Sequence, residues 1–400
     1  MTDSRRGRRI GRGLLAGLLA AVTLLAGCTG GLRTETIVIP DVPEAVPPSG
    51  NEAGDWEVAA IYRLPAADEP ADGLYRWTAA DKLVRLVQSG SGRQTVEAFE
   101  APYGEAQRLL ELDADSSDVR ALSPDGSRLS VFSYGAGKPS AAPSLTLISL
   151  PDGAKKVFQP PAVVSRSGGA KLIWSDNSRF LSYLALLDQG ELGIGVYDEA
   201  DESMRTYELE DADRAAFFYS VKLSDDGDGA LMVKEQQGEP PSLTLFRKRD
   251  GKFVQAYEHP IHSDGRAEWI DSERIVFIGT DGTLFLYDSR NGELSVLLDR
   301  AANFKLSDDR RLIAYSTRDA TIEVARLRGN SLYYGQTAYR GLVADELLWS
   351  PDNGALLVQG RKPYETGAAQ AASPAPAEDS GNRDVRRGEV AQWIVLDFAP

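Results

Sequence analysis

A short turn motif recurs along the chain and limits what the chain can fold into. Each copy has an apolar pair, then Ser or Asp, a tight polar turn and a second apolar run, as in Ala121-Leu-Ser-Pro-Asp-Gly-Ser-Arg-Leu-Ser-Val-Phe132. The anchor residues of the six copies are Ser123, Ser175, Ser224, Asp271, Ser307 and Ser350. Successive anchors are 52, 49, 47, 36 and 43 residues apart, which is the spacing of a repeat architecture.

The turn residues indicate that each copy is a β-hairpin. The two copies that match the motif most closely are Ser123-Pro124-Asp125-Gly126 and Ser350-Pro351-Asp352. Proline fixes φ for the turn, and Asp, Asn and Gly tolerate the left-handed conformation that tight turns need. The flanking runs are rich in β-branched and aromatic residues and have the length of strands.

Two further strand-like runs follow the motif, for example Ser144–Leu150 with Lys155–Phe158. Four strands per repeat predict an all-β fold, a β-propeller with four-stranded antiparallel blades around a central channel. Seven blades are favoured, with six and eight as the alternatives. The modules at the two ends are incomplete, as expected when strands from both termini close the ring. No stretch has a convincing helical period, and the best candidate, Ala106–Leu112, is short.

The repeats resemble the WD-like propeller repeats of the TolB family, whose blades carry a Ser-Pro-Asp-Gly turn between their first two strands. The resemblance covers about residues 118–360. The copy at Gly282–Leu298 also resembles the repeats of quinoprotein-type propellers, which implies a quinone cofactor as an alternative.

Three tryptophans stand where other copies have leucine at the end of the innermost strand: Trp174, Trp269 and Trp349. A large apolar side chain at this position would pack between blades, so we expect a core role. An aromatic platform for a ligand is the alternative.

The N-terminal segment indicates export and lipid attachment. Five arginines precede an apolar run from Leu14 to Leu25, which is shorter than the roughly 20 residues of a spanning helix. The run ends in Leu25-Ala-Gly-Cys28, which resembles the lipobox of bacterial lipoproteins, and Cys28 is the only cysteine. The resemblance implies that the chain is cut before Cys28 and that this residue is acylated.

We therefore expect a signal peptide at residues 1–27, a Pro/Gly-rich tether at 28–54 and a single propeller domain at 55–400. One apolar stretch in the tether, Thr36–Ile39, suits a strand. The insertion at 366–383 lacks aromatic residues, and we expect it to be disordered. The expected location is extracytoplasmic, with the protein anchored to the bacterial cell membrane by its N-terminal lipid.

Charge and composition exclude several classes of function. With 44 Lys+Arg against 59 Asp+Glu, the net charge of -15 argues against a nucleic-acid partner. His259 and His262 bring no third metal ligand at a suitable spacing, and we interpret them as loop residues. No Gly-x-Ser-x-Gly elbow is present. We assign no catalytic, cofactor-binding or metal-binding residue and expect no cofactor.

Two hypotheses of different class remain. The favoured one is a non-enzymatic scaffold that binds a protein, a peptide or an envelope polymer. Its binding side is expected on the face that gathers the long connections between second and third strands. These are Tyr134–Ser144, Leu187–Gly193, Lys234–Ser242 and Arg361–Val390.

The alternative is an extracytoplasmic enzyme or sensor that uses the channel for a carbohydrate, a metal or a quinone cofactor. Carboxylates scattered over the turns favour the scaffold. A facing pair of carboxylates in the channel favours hydrolysis, the chemistry of glycosidases.

The lipoprotein hypothesis predicts the behaviour of a Cys28→Ser variant. Cells fed a fatty-acid analogue should label the wild-type protein and not the variant, because the acylated thiol is missing. The variant should also leave the membrane fraction. Equal label and equal membrane retention in both proteins would contradict the hypothesis.

Overall fold

The computed structural model describes eleven segments of the chain. They are residues 36–37, 56–65, 74–88, 93–113, 118–134, 143–164, 171–187, 190–210, 216–262, 266–362 and 392–399. These residues form β-strands and turns without an α-helix. In this part of the chain, no helix is long and apolar enough to cross a membrane. The predicted signal peptide, Cys28 and the insertion at 366–383 lie outside the described residues.

The first three four-stranded units follow one another along the chain. Unit 1 contains β3 (Leu74–Ala79), β4 (Lys82–Gln88), β5 (Arg93–Glu100) and β6 (Gln107–Asp113). Unit 2 contains β7 (Val119–Leu122), β8 (Arg128–Ser133), β9 (Ser144–Ser149) and β10 (Lys155–Phe158). Unit 3 contains β11 (Val163–Val164) and β12 (Ile173–Trp174), which both pair with β13 (Phe180–Leu186), then β14 (Leu192–Asp198) and β15 (Ser203–Glu210).

The next three units have the same antiparallel order. Unit 4 contains β16 (Phe217–Leu223), β17 (Gly229–Glu235), β18 (Ser242–Arg249) and β19 (Lys252–Pro260). Unit 5 contains β20 (Ala267–Trp269), β21 (Arg274–Ile278), β22 (Leu284–Asp288) and β23 (Glu293–Leu298). Unit 6 contains β24 (Asn303–Leu306), β25 (Leu312–Ser316), β26 (Thr321–Arg328) and β27 (Ser331–Arg340).

The last unit combines strands from both ends of the chain. Unit 7 contains β28 (Val343–Trp349), β29 (Ala355–Arg361), β30 (Gln392–Phe398), β2 (Val58–Arg63) and β1 (Thr36–Ile37), in that spatial order. Strand β30 is antiparallel to β2, and Ile61 lies opposite Leu396. Strand β1 adds a fifth strand, so part of the predicted tether belongs to the sheet.

Units 3 and 4 form one continuous sheet through their outer strands. The end of β15 runs parallel to β19, with Leu209 opposite Phe253. Parallel pairing at this edge covers backbone groups that an outer strand otherwise leaves exposed.

The core lies between the units and not inside any one of them, because each four-stranded sheet is covered on both faces by its neighbours. A cluster of buried apolar side chains lies between each unit and the next, including one between unit 7 and unit 1. The described strands therefore close into a ring, and the prediction of an all-β propeller is confirmed. Although seven units can be counted in the described residues, the blade number stays a prediction.

One expectation about local structure, that the chain has no convincing helix, is confirmed in the described residues, and another, about the histidines, is wrong. The best helix candidate, Ala106–Leu112, lies almost wholly in β6, where Leu110 packs against the cluster between units 1 and 2. His259 lies on β19, not in a loop, and its ring is near those of Phe277 and Phe285. His262 follows the strand, and its backbone N–H donates to Ile278 O.

Two glycines of unit 2 have the same backbone conformation and different surroundings. Gly126, in the turn after β7, has a φ of +63°, and Gly153, in the turn after β9, has a φ of +69°. A Cβ atom at Gly126 would lie 2.5 Å from Thr78 Cγ2 and 2.8 Å from Trp77 O of unit 1. A Cβ atom at Gly153 would meet nothing within 4 Å.

These surroundings predict unequal effects for the two alanine substitutions. Gly153→Ala should cost about 1 kcal/mol, because it only forces alanine into the left-handed region. Gly126→Ala should cost about 1–3 kcal/mol more, since the new methyl group pushes units 1 and 2 apart. Urea unfolding of both variants measures the difference. Equal losses would show that Gly126 does not set the spacing of these units.

Candidate functional site

Five serines hold the first turn of their units in one geometry. Ser123 shows the pattern: its hydroxyl donates to Asp125 Oδ1 at 2.5 Å and accepts from Arg128 N at 3.0 Å. The same two bonds occur at Ser175, Ser224, Ser307 and Ser350, with Asn177 as the acceptor in unit 3. All five serines are fully buried. A buried hydroxyl with both functions satisfied fixes the turn at the mouth of the channel.

Two units depart from this turn. In unit 5, Asp271 stands one residue later than the serine position and accepts from Glu273 N and Arg274 N at 2.9 and 2.8 Å. A carboxylate thus replaces the hydroxyl in a shorter turn. Unit 1 has Thr78 at this position, with its hydroxyl 3.3 Å from Lys82 O. The turn of unit 1 lacks the Ser-containing motif. The sequence therefore shows only six copies of the motif.

The residue after each serine lies at the rim of a central cavity of about 770 Å³. These rim residues are Pro124, Asp176, Asp225, Asp308 and Pro351. The size is in the usual range for a ligand site. A second cavity, of about 150 Å³ between units 3 and 4, is much smaller than such sites.

One wall of the cavity is apolar and another is charged. The apolar side chains come from units 7, 1, 2 and 3 and include Leu348, Leu74, Leu122, Leu172 and Ile173. The charged wall comes from units 3, 4 and 6 and contains Asp176, Lys222, Asp225, Lys305, Asp308 and Arg310. The cavity is therefore suited to a ligand that has both apolar and charged parts.

Asp176 is the centre of the charged wall. Its carboxylate is 2.7 Å from Lys222 Nζ and 3.0 Å from Arg310 Nη2, and its side chain is only 14% exposed. Burial by itself raises the pKa of Asp176, but Lys222, Lys305 and Arg310 together hold that pKa well below its usual value. The aspartate is therefore ionised at neutral pH and joins units 3, 4 and 6 across the channel.

The neighbouring charges of unit 6 have different surroundings. Lys305 Nζ is 2.6 Å from Glu268 Oε1 of unit 5, and Glu268 Oε2 accepts from Leu306 N at 2.9 Å. The carboxylate of Asp308 makes no ion pair or hydrogen bond with any of the described residues. Partial burial raises the pKa of Asp308, against the opposing effect of Lys305 and Arg310.

Hydrogen bonds also link the turns of neighbouring units. The N–H of Asp125 in unit 2 donates to Ser178 Oγ of unit 3 at 3.0 Å. Asn177 of unit 3 donates through its backbone N–H to Asp225 Oδ1 of unit 4 at 2.9 Å. The rim is thus a connected structure over these three units.

The tryptophans lie between units, as a core role requires. Trp174, Trp269 and Trp349 are at most 4% exposed, although Trp174 and Trp349 also border the central cavity. Each indole N–H donates to the preceding unit. The acceptors are Ser130 Oγ for Trp174, Lys222 O for Trp269 and Lys305 O for Trp349, and Trp77 makes the corresponding bond to Leu348 O.

The cavity opens on the face opposite to the long loops. In an antiparallel four-stranded unit, the first and third turns share one end and the second turn lies at the other. The rim residues belong to first turns, whereas the predicted binding loops are second connections. Parts of these loops, residues 135–142, 188–189 and 363–391, lie outside the described residues. Their role in binding stays a prediction.

The described residues contain no group of three or more His, Cys, Asp or Glu side chains placed to hold a metal ion. Three rim carboxylates, those of Asp176, Asp225 and Asp308, are both on turns and at the channel.

Comparisons with protein-family models and with curated protein sequences find no match. Among solved structures, the chain is similar to a chain of the mitotic checkpoint complex, at 16% identity and a TM-score of 0.49, over 80% of this chain and 93% of that one. It is also similar to U3-55K, at 10% identity and a TM-score of 0.48, over 84% and 98%. TolB from Acinetobacter baumannii matches at 12% identity and a TM-score of 0.36, over 65% and 67%.

The ion-pair geometry predicts a large effect of Asp176→Asn. The variant leaves Lys222 and Arg310 in the channel without their counter-charge, which should lower the free energy of unfolding by about 3 kcal/mol at pH 7. Because the pKa of Asp176 is below its usual value, its stabilising effect is complete above pH 3.8 and is lost as the pH falls further. The difference between variant and wild type should therefore narrow in acid.

The matched control is Asp225→Asn, at the same turn position of unit 4. Its side chain is exposed, and the amide oxygen of asparagine can still accept from Asn177 N. We expect a loss below about 1 kcal/mol, measured by urea unfolding at several pH values. Similar losses in both variants would contradict the role given to Asp176.

Proposed function

We propose that this protein is a binding scaffold, held at the outer side of a bacterial cell membrane by a lipid on Cys28, that takes a protein, a peptide or an envelope polymer at its channel mouth. The observation that carries the proposal is the cavity of about 770 Å³ with an apolar and a charged wall. It lies on a rim that buried serines and inter-unit hydrogen bonds keep in place.

The pairing of charges favours binding over catalysis. Lys222 and Arg310 are held by Asp176, and Lys305 by Glu268. Neutralised pairs such as these suit recognition, in which electrostatic complementarity selects the partner and sets its orientation. A catalytic site more often has a group with no fixed partner that is free to exchange a proton, a description that only Asp308 meets among the three rim carboxylates of the described residues.

The position of Cys28 supports a location close to the membrane. It precedes Thr36, the first residue of β1, by eight positions. At about 3.5 Å per residue, the chain between them spans at most about 28 Å. An acyl chain on Cys28 would thus keep the edge of unit 7 near the lipid surface.

Two charge reversals in unit 6 test which face of the propeller binds the partner. Asp308→Lys alters the rim of the cavity, and Asp319→Lys alters the turn between β25 and β26 on the opposite face. Asp319 is exposed, and Asp308 is partly buried beside Lys305 and Arg310, so urea unfolding of both variants must first show wild-type stability. Cross-linking capture of the partner from intact cells should fall several-fold with Asp308→Lys and remain at the wild-type level with Asp319→Lys.

The opposite result would move the binding site to the loop face. In that case, shortening Tyr134–Ser144 together with Lys234–Ser242 should abolish capture without loss of stability. Capture that survives both charge reversals and the loop shortening would contradict the scaffold proposal.

A second candidate function is hydrolysis of a carbohydrate. It is favoured by the opposite pKa shifts of two carboxylates at the same cavity, since Asp176 stays ionised while the pKa of Asp308 is raised. Paired carboxylates with separated pKa values are the acid and base of many glycosidases. Turnover of a glycoside by the purified mature protein, lost in Asp308→Asn, would support this alternative against the scaffold.

A further inference from the structure

One level of the channel wall is formed by the residue two positions before the turn serine, or before Thr78 in unit 1 and Ile270 in unit 5, which stand at the serine position. From unit 7 through unit 6 in ring order, these residues are Leu348, Arg76, Ala121, Ile173, Lys222, Glu268 and Lys305. In units 4 to 6 the position carries charges that pair with other charges. In units 7, 1, 2 and 3 it is apolar except at Arg76. Arg76 is therefore a single cation at this level of an apolar wall.

The guanidinium of Arg76 is weakly partnered. Nη1 donates to the carbonyl oxygen of the adjacent Tyr75 at 2.6 Å. Its ion pair with Glu346 Oε1 is 3.8 Å long, and the guanidinium makes no hydrogen bond to another side chain among the described residues. Burial lowers the pKa of Arg76, with Glu346 and Asp176 offsetting part of this effect.

The other cations of the cavity have closer partners. Lys222 and Lys305 are 2.7 and 2.6 Å from a carboxylate oxygen, and Arg310 is 3.0 Å from one. Arg120 lies 3.2 Å from Asp118 Oδ2. Since a desolvated guanidinium binds a carboxylate best through two parallel N–H···O bonds, Arg76 has a capacity that the protein itself does not use.

We propose that Arg76 binds the carboxylate of a ligand whose apolar part lies against Leu74, Leu348 and Ile173, and that this ligand is the free C-terminus of an apolar peptide segment. A single guanidinium matches a single negative charge. A doubly charged group such as a phosphate would need a second available cation, and the other cations that line the cavity already pair with carboxylates at 3.2 Å or less. The cavity volume suits a few apolar residues and not a folded domain.

This inference rests on the proposed function, because it names the chemistry that the channel mouth recognises. It requires one property of the ligand that the scaffold proposal does not require. The ligand must lose affinity when its terminal carboxylate is converted to an amide, whatever the full partner is.

The test uses the mature protein with N-acetylated trileucine as the probe, either with a free C-terminal carboxylate or as the amide, and measures binding by titration calorimetry. We expect the acid to bind at least about tenfold more tightly than the amide. Arg76→Gln should remove this preference and leave the affinity for the amide unchanged. The control is Arg108→Gln, which loses the same charge on exposed β6 and should behave as wild type.

A second variant gives a result in the opposite direction. Glu346→Gln removes the carboxylate that competes for Arg76, so the acid should bind more tightly and the amide as before. A purely structural role of Arg76 would not produce such a gain. Equal binding of acid and amide, absence of binding by both, or an unchanged preference in Arg76→Gln would overturn the inference. None of these results would decide the scaffold proposal, which is tested separately by partner capture in cells and its dependence on Asp308.

Discussion

The rest of this structure depends on one interaction, the pairing of β2 with β30, which joins the two ends of the described chain. β30 lies between β29 and β2, so the C-terminal strand is in the middle of the closing sheet and not at its edge. Without β30, unit 7 would lose both pairings that connect β29 to β2, and the clusters between units 6, 7 and 1 would open. A ring of units that bury their apolar faces only against neighbours needs every interface, because an open end exposes an entire sheet face to water.

Ring closure also determines where the charged residues of the channel lie. When the units form a ring, their innermost strands surround a channel and their first turns meet at one mouth. In five units a buried serine fixes the backbone of this turn, and the next residue along the chain lies at the rim of the cavity. Asp176 shows the consequence, since it contacts Lys222 and Arg310 from two other units. A contact of this kind exists only in the closed ring, and the same geometry leaves Arg76 in an apolar wall.

The sequence predicts the local part of this arrangement well and the non-local part poorly. A turn such as Ser123–Gly126 is recognisable because its hydrogen bonds join residues within five positions of one another. The tryptophans are predictable as core residues from their place in the repeat. The ion pairs of Asp176 are not predictable from the sequence, since Lys222 and Arg310 lie 46 and 134 positions further along the chain. The parallel pairing of β15 with β19 and the turn at Thr78 carry no sequence signal either.

The most direct test of ring closure compares two deletions in the chain. Deleting residues 392–400 removes β30, and excising residues 366–383 shortens the connection before it by twice as many residues. Urea unfolding followed by tryptophan fluorescence should show no cooperative transition after the deletion, because the interfaces on both sides of unit 7 are lost. The excision should leave the midpoint nearly unchanged, since shortening a connection alters closure entropy by only about half a kcal/mol per halving. A full cooperative transition after loss of β30 would contradict the closed ring.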